Sequence, residues 1–138
     1  MKRNLRVLVA SVFVAVLFCG QSFAAGGSAI PEMLKAFEAQ GAGNFSADGV
    51  KDLWVREFKA KDGKMRSCST CHGTDLTQSG KHARTGKVID PMALSVNPER
   101  FTKAKKIKKW FKRNCKWAWG RECTAQEKGN FLTYFKGL

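Results

Sequence analysis

The sequence predicts a mainly α-helical single domain, four to five helices joined by long loops that wrap a bound group. Three observations predict it. Apolar residues recur at helical spacing in four separate stretches of the 138-residue chain. A five-residue motif, Cys68-Ser69-Thr70-Cys71-His72, sits between the second and third of them. A weakly periodic stretch then runs to Pro98, punctuated by Gly80, Gly86 and Pro91. It is too long for an ordinary connection and suits a chain that wraps a cofactor.

Residues 1–24 read as a secretory signal. Lys2, Arg3 and Arg6 form its charged start, Leu5 to Phe18 its apolar stretch, and Ser22-Phe23-Ala24 its cleavage region. The apolar run of about 12 residues is short of the roughly 20 that a membrane span needs. Bulky Phe18 before Cys19 argues against lipid attachment there. The remainder, residues 25–138, is therefore expected to be one periplasmic domain with no stable membrane insertion. Its charge falls from +14 to +11 as the three basic residues leave. An exported protein this basic is not expected to meet nucleic acid. An acidic protein partner, steered by charge, is the better expectation.

Gly26 to Ala29 reads as a flexible leader. Pro31 to Gln40 follows as a helix with proline in its first turn, and Ile30, Met33, Leu34 and Phe37 share one face. Ser46 is placed to cap a second helix reaching about Lys59, with Val50, Leu53, Trp54 and Phe58 as its stripe. Both stripes read as core. Ala60 to Ser67 is a polar loop. Thr102 is placed to cap a third helix to about Asn114, with Ile107, Trp110, Phe111 and Asn114 facing inward. Its outer face carries Lys103, Lys105, Lys106, Lys108, Lys109 and Lys112, either a solvated surface or a dock for an acidic redox partner. Thr124-Ala125-Gln126-Glu127 is a capping box that opens the last helix, whose stripe is Phe131, Tyr134, Phe135 and Leu138.

The Cys-x-x-Cys-His motif is the signature of covalent haem c attachment. Each thiol can add to one vinyl group, and the histidine then lies under the iron as the proximal ligand. A zinc site would want two further Cys or His ligands, and a thioredoxin-type pair a βαβ context. Neither is found in the sequence. One haem c is thus expected on Cys68 and Cys71, with His72 on the metal. Helices early and late in the chain around one haem suggest a class I cytochrome c architecture, by analogy of fold. Cys115 and Cys123 remain in a chain bound for an oxidising compartment, and they should pair.

The sixth ligand decides the function. Met92 or His82 would close the iron and give a simple electron carrier. Asn97 precedes a proline and fits a turn. Asn114 ends an apolar face, where a buried amide needs a partner, although asparagine also suits a helix C-cap.

Several segments resemble the SHP family, the sphaeroides haem proteins: Cys68-Ser-Thr-Cys-His-Gly, Arg84-Thr-Gly-Lys, Ser95-Val-Asn-Pro-Glu-Arg-Phe-Thr, Trp110-Phe-Lys-Arg-Asn-Cys, Gly120-Arg-Glu-Cys-Thr and Glu127-Lys-Gly. The match covers roughly residues 65–138. It departs at Met92-Ala93-Leu94, where the family often has Pro-Leu-Ala-Pro. These are small oxygen-binding monohaem c cytochromes. The resemblance implies that Asn114 is the distal ligand, beside a Cys115–Cys123 disulfide, and that a dihaem c-type cytochrome donates the electron. An amide oxygen is a hard, weak donor that should hold Fe(III) better than Fe(II). Reduction would then free a site for O2, NO or CO. Trp110 and Phe111 are the candidate haem-contacting aromatics, with Trp117 and Trp119 as further wall or core residues. A haem enzyme reducing peroxide or converting NO would need a distal acid or base, and no histidine clearly supplies one.

Overall fold

Helix α1, Ile30–Glu38, forms where Pro31 sits in the first turn and buries Ile30, Met33 and Phe37, as the spacing predicts. The computed structural model describes residues 27–138, so the predicted signal lies outside the described residues. The leader is tied down at its end: Ala29 is buried, and its amide donates to the Phe101 carbonyl at 2.8 Å.

Helix α2 spans only Val50–Val55. Ser46 does not cap it. The Ser46 hydroxyl instead accepts from the Asp48 amide at 2.9 Å and donates to the Asp48 carboxylate at 2.8 Å. The helix opens after Gly49, at a left-handed φ of 69°, and ends where Arg56 turns extended. Phe58 therefore falls on strand β1, Phe58–Lys59, which pairs antiparallel with β2, Met65–Arg66. Its ring lies 4.9 Å from that of Trp119, a distant contact that overrides the local helical pattern. The predicted polar loop is thus the tip and second strand of a hairpin.

The motif itself forms a single turn, α3, Ser69–His72. The stretch after it holds a second hairpin, β3, Gly80–Lys81, paired with β4, Val88–Ile89. Strands of two residues leave no periodic trace in a sequence.

Helix α4, Ala104–Trp119, is longer than its stripe predicts. Thr102 does not cap it, since its hydroxyl donates to the Glu99 carbonyl at 3.0 Å and Lys103 holds the cap position. The helix ends at Gly120, φ 68°, so Asn114 and Cys115 lie in its interior. Its buried residues are Ile107, Cys115, Ala118 and Trp119. Trp110 is 49% exposed and Asn114 is exposed, so neither faces inward as their spacing from Ile107 suggests. Cys115 is bonded to Cys123, as expected.

Helix α5, Ala125–Lys136, carries the predicted capping box in full. The Thr124 hydroxyl accepts from the Glu127 amide at 3.1 Å, and the Glu127 carboxylate accepts from the Thr124 amide at 2.7 Å. Phe131, Leu132 and Phe135 bury its face against α1 and α2. The core is largely aromatic: Trp54 sits 5.9 Å from Phe131 and 5.6 Å from Phe135, ring to ring.

Candidate haem site

In a helical turn, positions 68, 71 and 72 share one face, being i, i+3 and i+4. The α3 turn closes with His72 N–H donating to the Cys68 carbonyl at 3.3 Å. Ser67 precedes it, buried, with its amide donating to the Thr70 hydroxyl at 2.9 Å. Cys68 and Cys71 are both free thiols. Burial pushes the Cys68 thiol up to about 12, far from the thiolate form. No group of three or more His, Cys, Asp or Glu able to hold a metal ion occurs among the described residues.

Behind the turn stands Trp54. Its indole N–H donates to the Gly73 carbonyl at 2.8 Å, and its ring lies 5.5 Å from that of His72. Strand β3 presses on the same turn at Gly80, where a Cβ would come within 2.8 Å of His72 Cα and closer still to the Cys71 carbonyl. Only glycine allows that approach. Burial, helped by the charge of Arg100, pulls His72 down to about 4. The imidazole is therefore neutral at ordinary pH, as a metal ligand must be.

The other candidates are occupied. Arg100 donates to the Met92 sulfur at 3.1 Å and to the Asp90 carbonyl at 2.8 Å, which holds the thioether beside the guanidinium that acts on His72. Asn97 donates to the Pro91 carbonyl at 3.0 Å, the turn role expected of it. His82 Nδ1 accepts from the amides of Arg84 and Thr85 at 3.3 and 3.2 Å. That fixes the proton on Nε2, the atom that would have to offer a lone pair to iron. Phe111 turns toward the core, 6.4 Å from Phe37 and 6.3 Å from Phe131, while Trp119 is buried.

Helix α4 thus carries two stripes where the sequence suggested one. Ile107, Phe111, Cys115 and Ala118 take the core. Trp110, Asn114 and Trp117, at i, i+4 and i+7, share a separate flank. Trp117 reaches a cleft of about 700 Å3 whose wall also includes Met65, Thr70 and Ala83. The Ala83 amide donates to the Cys71 sulfur at 3.4 Å, so the cleft opens beside the attachment turn; His72 and Asn114 do not line it. Two free thiols and a neutral imidazole on one face fit a covalently held haem, and an exposed aromatic such as Trp110 is the kind of surface it would cover. Cys68 and Cys71 would carry the thioethers, and His72 would bind the iron. Trp54, Gly80 and Arg100 join this site without having been singled out in the sequence. Arg100 alone had a signal, lying within the family-like segment Asn97-Pro-Glu-Arg-Phe.

Residues 40–135 match a family model described as a domain of unknown function, DUF1924. The cytochrome c-type protein SHP of Cereibacter sphaeroides is 36% identical over 110 residues, 80% of this chain and 84% of that one. A structure of oxidised SHP, an oxygen-binding cytochrome c, superposes with a TM-score of 0.73 at 34% identity, covering 82% of this chain and 100% of that one. Cytochrome c'' of Methylophilus methylotrophus is 39% identical over 84 residues, 61% of this chain and 58% of that one. Its solution structure, which concerns haem-ligand detachment, superposes with a TM-score of 0.66 at 31% identity over 77% of this chain and 90% of that one. The fold is that of a class I-like cytochrome c, mainly helical with five helices among the described residues.

Proposed function

The chain belongs to the SHP family of c-type cytochromes, and from that premise we propose an exported single-haem protein that takes up an electron and then opens a site for a diatomic ligand. Cys68 and Cys71 anchor the haem, His72 is the proximal ligand and Asn114 the distal one. When bound, the haem supplies a one-electron redox centre and a coordination position for O2- or NO-type molecules. The Asn114 carboxamide, a hard and weak donor, keeps its place in the oxidised protein and leaves it in the reduced one.

The observation that carries this reading is the position of Asn114. It is exposed in the interior of α4, between Trp110 and Trp117, five residues before the helix ends. The C-cap explanation is thereby removed, and asparagine is a poor helix former there. The hydrogen bonds at Met92, His82 and Asn97 weigh against each rival ligand. Oxygen binding by SHP and ligand detachment in cytochrome c'' are in keeping with an opening site. The electron donor is an acidic redox protein, a dihaem c-type cytochrome being the one the family resemblance implies. Residues 1–24 direct export, and no described helix is long and apolar enough to cross a membrane.

The test is Asn114→Ala in the haem-loaded protein. The oxidised spectrum is expected to turn high-spin or to show bound water, while the reduced protein binds CO as before. An unchanged low-spin oxidised spectrum removes Asn114 from the iron. A reduced parent protein that stays low-spin and ignores CO removes the opening site altogether.

A further inference from the structure

The positive charge of this chain is concentrated on one helix. Residues 103–116 hold eight lysines and arginines and no acidic residue, whereas the rest of residues 25–138 carries fourteen basic against eleven acidic groups. All eight are exposed, and among the described residues only Lys116 of the eight is in an ion pair, with Glu122 at 2.9 Å. Lys105, Lys108, Lys109, Lys112 and Lys116 recur at i, i+3, i+4, i+7 and i+11, one face over about 17 Å of helix axis. That face lies apart from Ile107, Phe111 and Cys115, which take the core, and apart from the flank of Trp110, Asn114 and Trp117. Folding does not call for it. Like charges three and four positions apart repel each other. Lys105 and Lys106 also stand in the first turn, where the helix dipole is already positive and no acidic residue offsets it.

We infer that this face of α4 is an electrostatic contact for an anionic phospholipid surface, on which the helix lies flat. The inference rests on the proposed export, which brings the protein within reach of an outward-facing bilayer surface, and does not depend on the iron ligands. Three features favour lipid over an acidic protein as the occupant. First, seven of the eight cations are lysines. An ammonium on a flexible stem is a hydrated point charge that needs no fixed partner geometry, whereas the planar fork of arginine suits a shaped carboxylate site. Second, the face has no apolar centre. Trp110 lies at its edge, on the haem flank, with Lys109 and Arg113 over its ring at 5.7 and 5.3 Å. Protein interfaces are depleted in lysine and enriched in methionine and aromatics. Third, the surface is a convex helix rather than a cleft, so a straight row of charges can meet a plane of phosphates along its whole length. A cluster of four to eight basic residues on a helix is the pattern that anionic lipid attracts. Contact of this kind stays at the headgroups and inserts nothing, in keeping with the absence of a spanning helix among the described residues.

Two charge-matched variants of the haem-loaded protein test this. One carries Lys105→Glu, Lys108→Glu and Lys112→Glu; the other carries Lys35→Glu, Lys51→Glu and Lys136→Glu, at exposed lysines off this face. Each changes the net charge equally, so only location differs. Binding is read by co-sedimentation with vesicles of phosphatidylglycerol and phosphatidylcholine in equal parts, and with pure phosphatidylcholine as the neutral control. The parent is expected to bind the anionic vesicles at low salt, to leave them at raised salt and to ignore the neutral ones. The α4 variant should bind more than about tenfold more weakly than the parent, and the second variant less than about threefold more weakly. A parent that ignores the anionic vesicles, or an equal loss in both variants, overturns the face as a lipid contact. Acetylation by a water-soluble reagent, read by mass spectrometry, should slow on vesicles at Lys105, Lys108 and Lys112 and stay unchanged at Lys35 and Lys51; equal labelling with and without vesicles overturns it. Soluble poly-L-glutamate, matched to the vesicles in accessible anionic charge, stands in for an acidic protein. Tighter binding to it than to the vesicles gives the face to such a partner and overturns lipid. Should the charge-reversed α4 variant fail to fold, Lys105→Gln, Lys108→Gln and Lys112→Gln takes its place; a loss of about threefold is expected, and unchanged binding overturns the contact. CO binding by the reduced protein, measured without vesicles, shows separately whether the distal site opens.

Discussion

On one side of the attachment turn, Trp54 donates to Gly73 and lies against His72, with Phe131 and Phe135 behind it. On α4, by contrast, Trp110 and Asn114 stand exposed, with Trp117 half-buried beside them. The first side is fixed by close packing and by a strand that only glycine lets approach. The second leaves Trp110 and an amide exposed, with Trp117 only partly covered by the core and by Arg66. The proposed ligand exchange calls for such a division: rigidity where the imidazole sits, freedom at the amide.

The sharpest way to break the comparison is at Trp54. Trp54→Ala empties a 5%-exposed indole site and leaves the Gly73 carbonyl without its donor. Chemical denaturation of the haem-loaded protein should show a loss of about 3–5 kcal/mol. A loss below about 1 kcal/mol would mean that the packed side is not the rigid one.

Next in size is the covalent link from α4 to the segment before α5. Removing it with Cys115→Ser and Cys123→Ser should lower stability by about 2–3 kcal/mol, read as a drop in melting temperature. A larger change in the oxidised haem spectrum than in the reduced one would place its influence on the distal flank.

Smaller again is an acid-linked effect in the packed half. The hydrogen bond from Arg121 holds the Glu127 carboxyl below its ordinary 4.5, aided by Thr124. A carboxylate depressed in the folded state contributes stability that is complete above its unfolded value. That contribution is lost as pH falls through the lower folded value. Denaturation midpoints measured downward from pH 4.5 should therefore fall more steeply in the parent than in Glu127→Gln. Parallel pH profiles would show that the ion pair adds nothing to this half.

The smallest expected effect on stability is at Asn114. In the reduced protein, where the amide is proposed to leave the iron, Asn114→Ala should change it by no more than about 0.5 kcal/mol, since an exposed helical position is involved and alanine favours the helix. Together with the spectral change described above, this would separate a ligand from a structural residue.

How much of this was legible in the sequence depends on how far apart the interacting residues lie. Helix α5 was readable because its capping box and its Phe131–Phe135 stripe are local and agree. Ser46 and Thr102 look like caps, yet each hydroxyl finds a partner in its own turn. Phe58 continues the Trp54 stripe on paper, but Trp119, sixty-one positions on, draws it into a strand. The two thiols and the imidazole were legible because one turn holds all three. Trp54 and Gly80 were not, because nothing in their neighbourhoods signals contact with residues 71–73. Along α4, helical spacing alone could not tell a core face from a flank some 100° away. Counting Trp110 and Asn114 as inward was the result.

Cys115 directly follows Asn114 and is bonded to Cys123, so the main chain here is tied to the segment before α5. The helix cannot easily back away from whatever its amide touches. Any release at Asn114 then falls to rotation about the bonds of that one side chain. Exposed side chains turn over in picoseconds to nanoseconds, far faster than helices shift. Under the proposed ligation, release would then begin with the breaking of the iron–amide bond and be completed by one side chain's rotation, with no rearrangement of the fold.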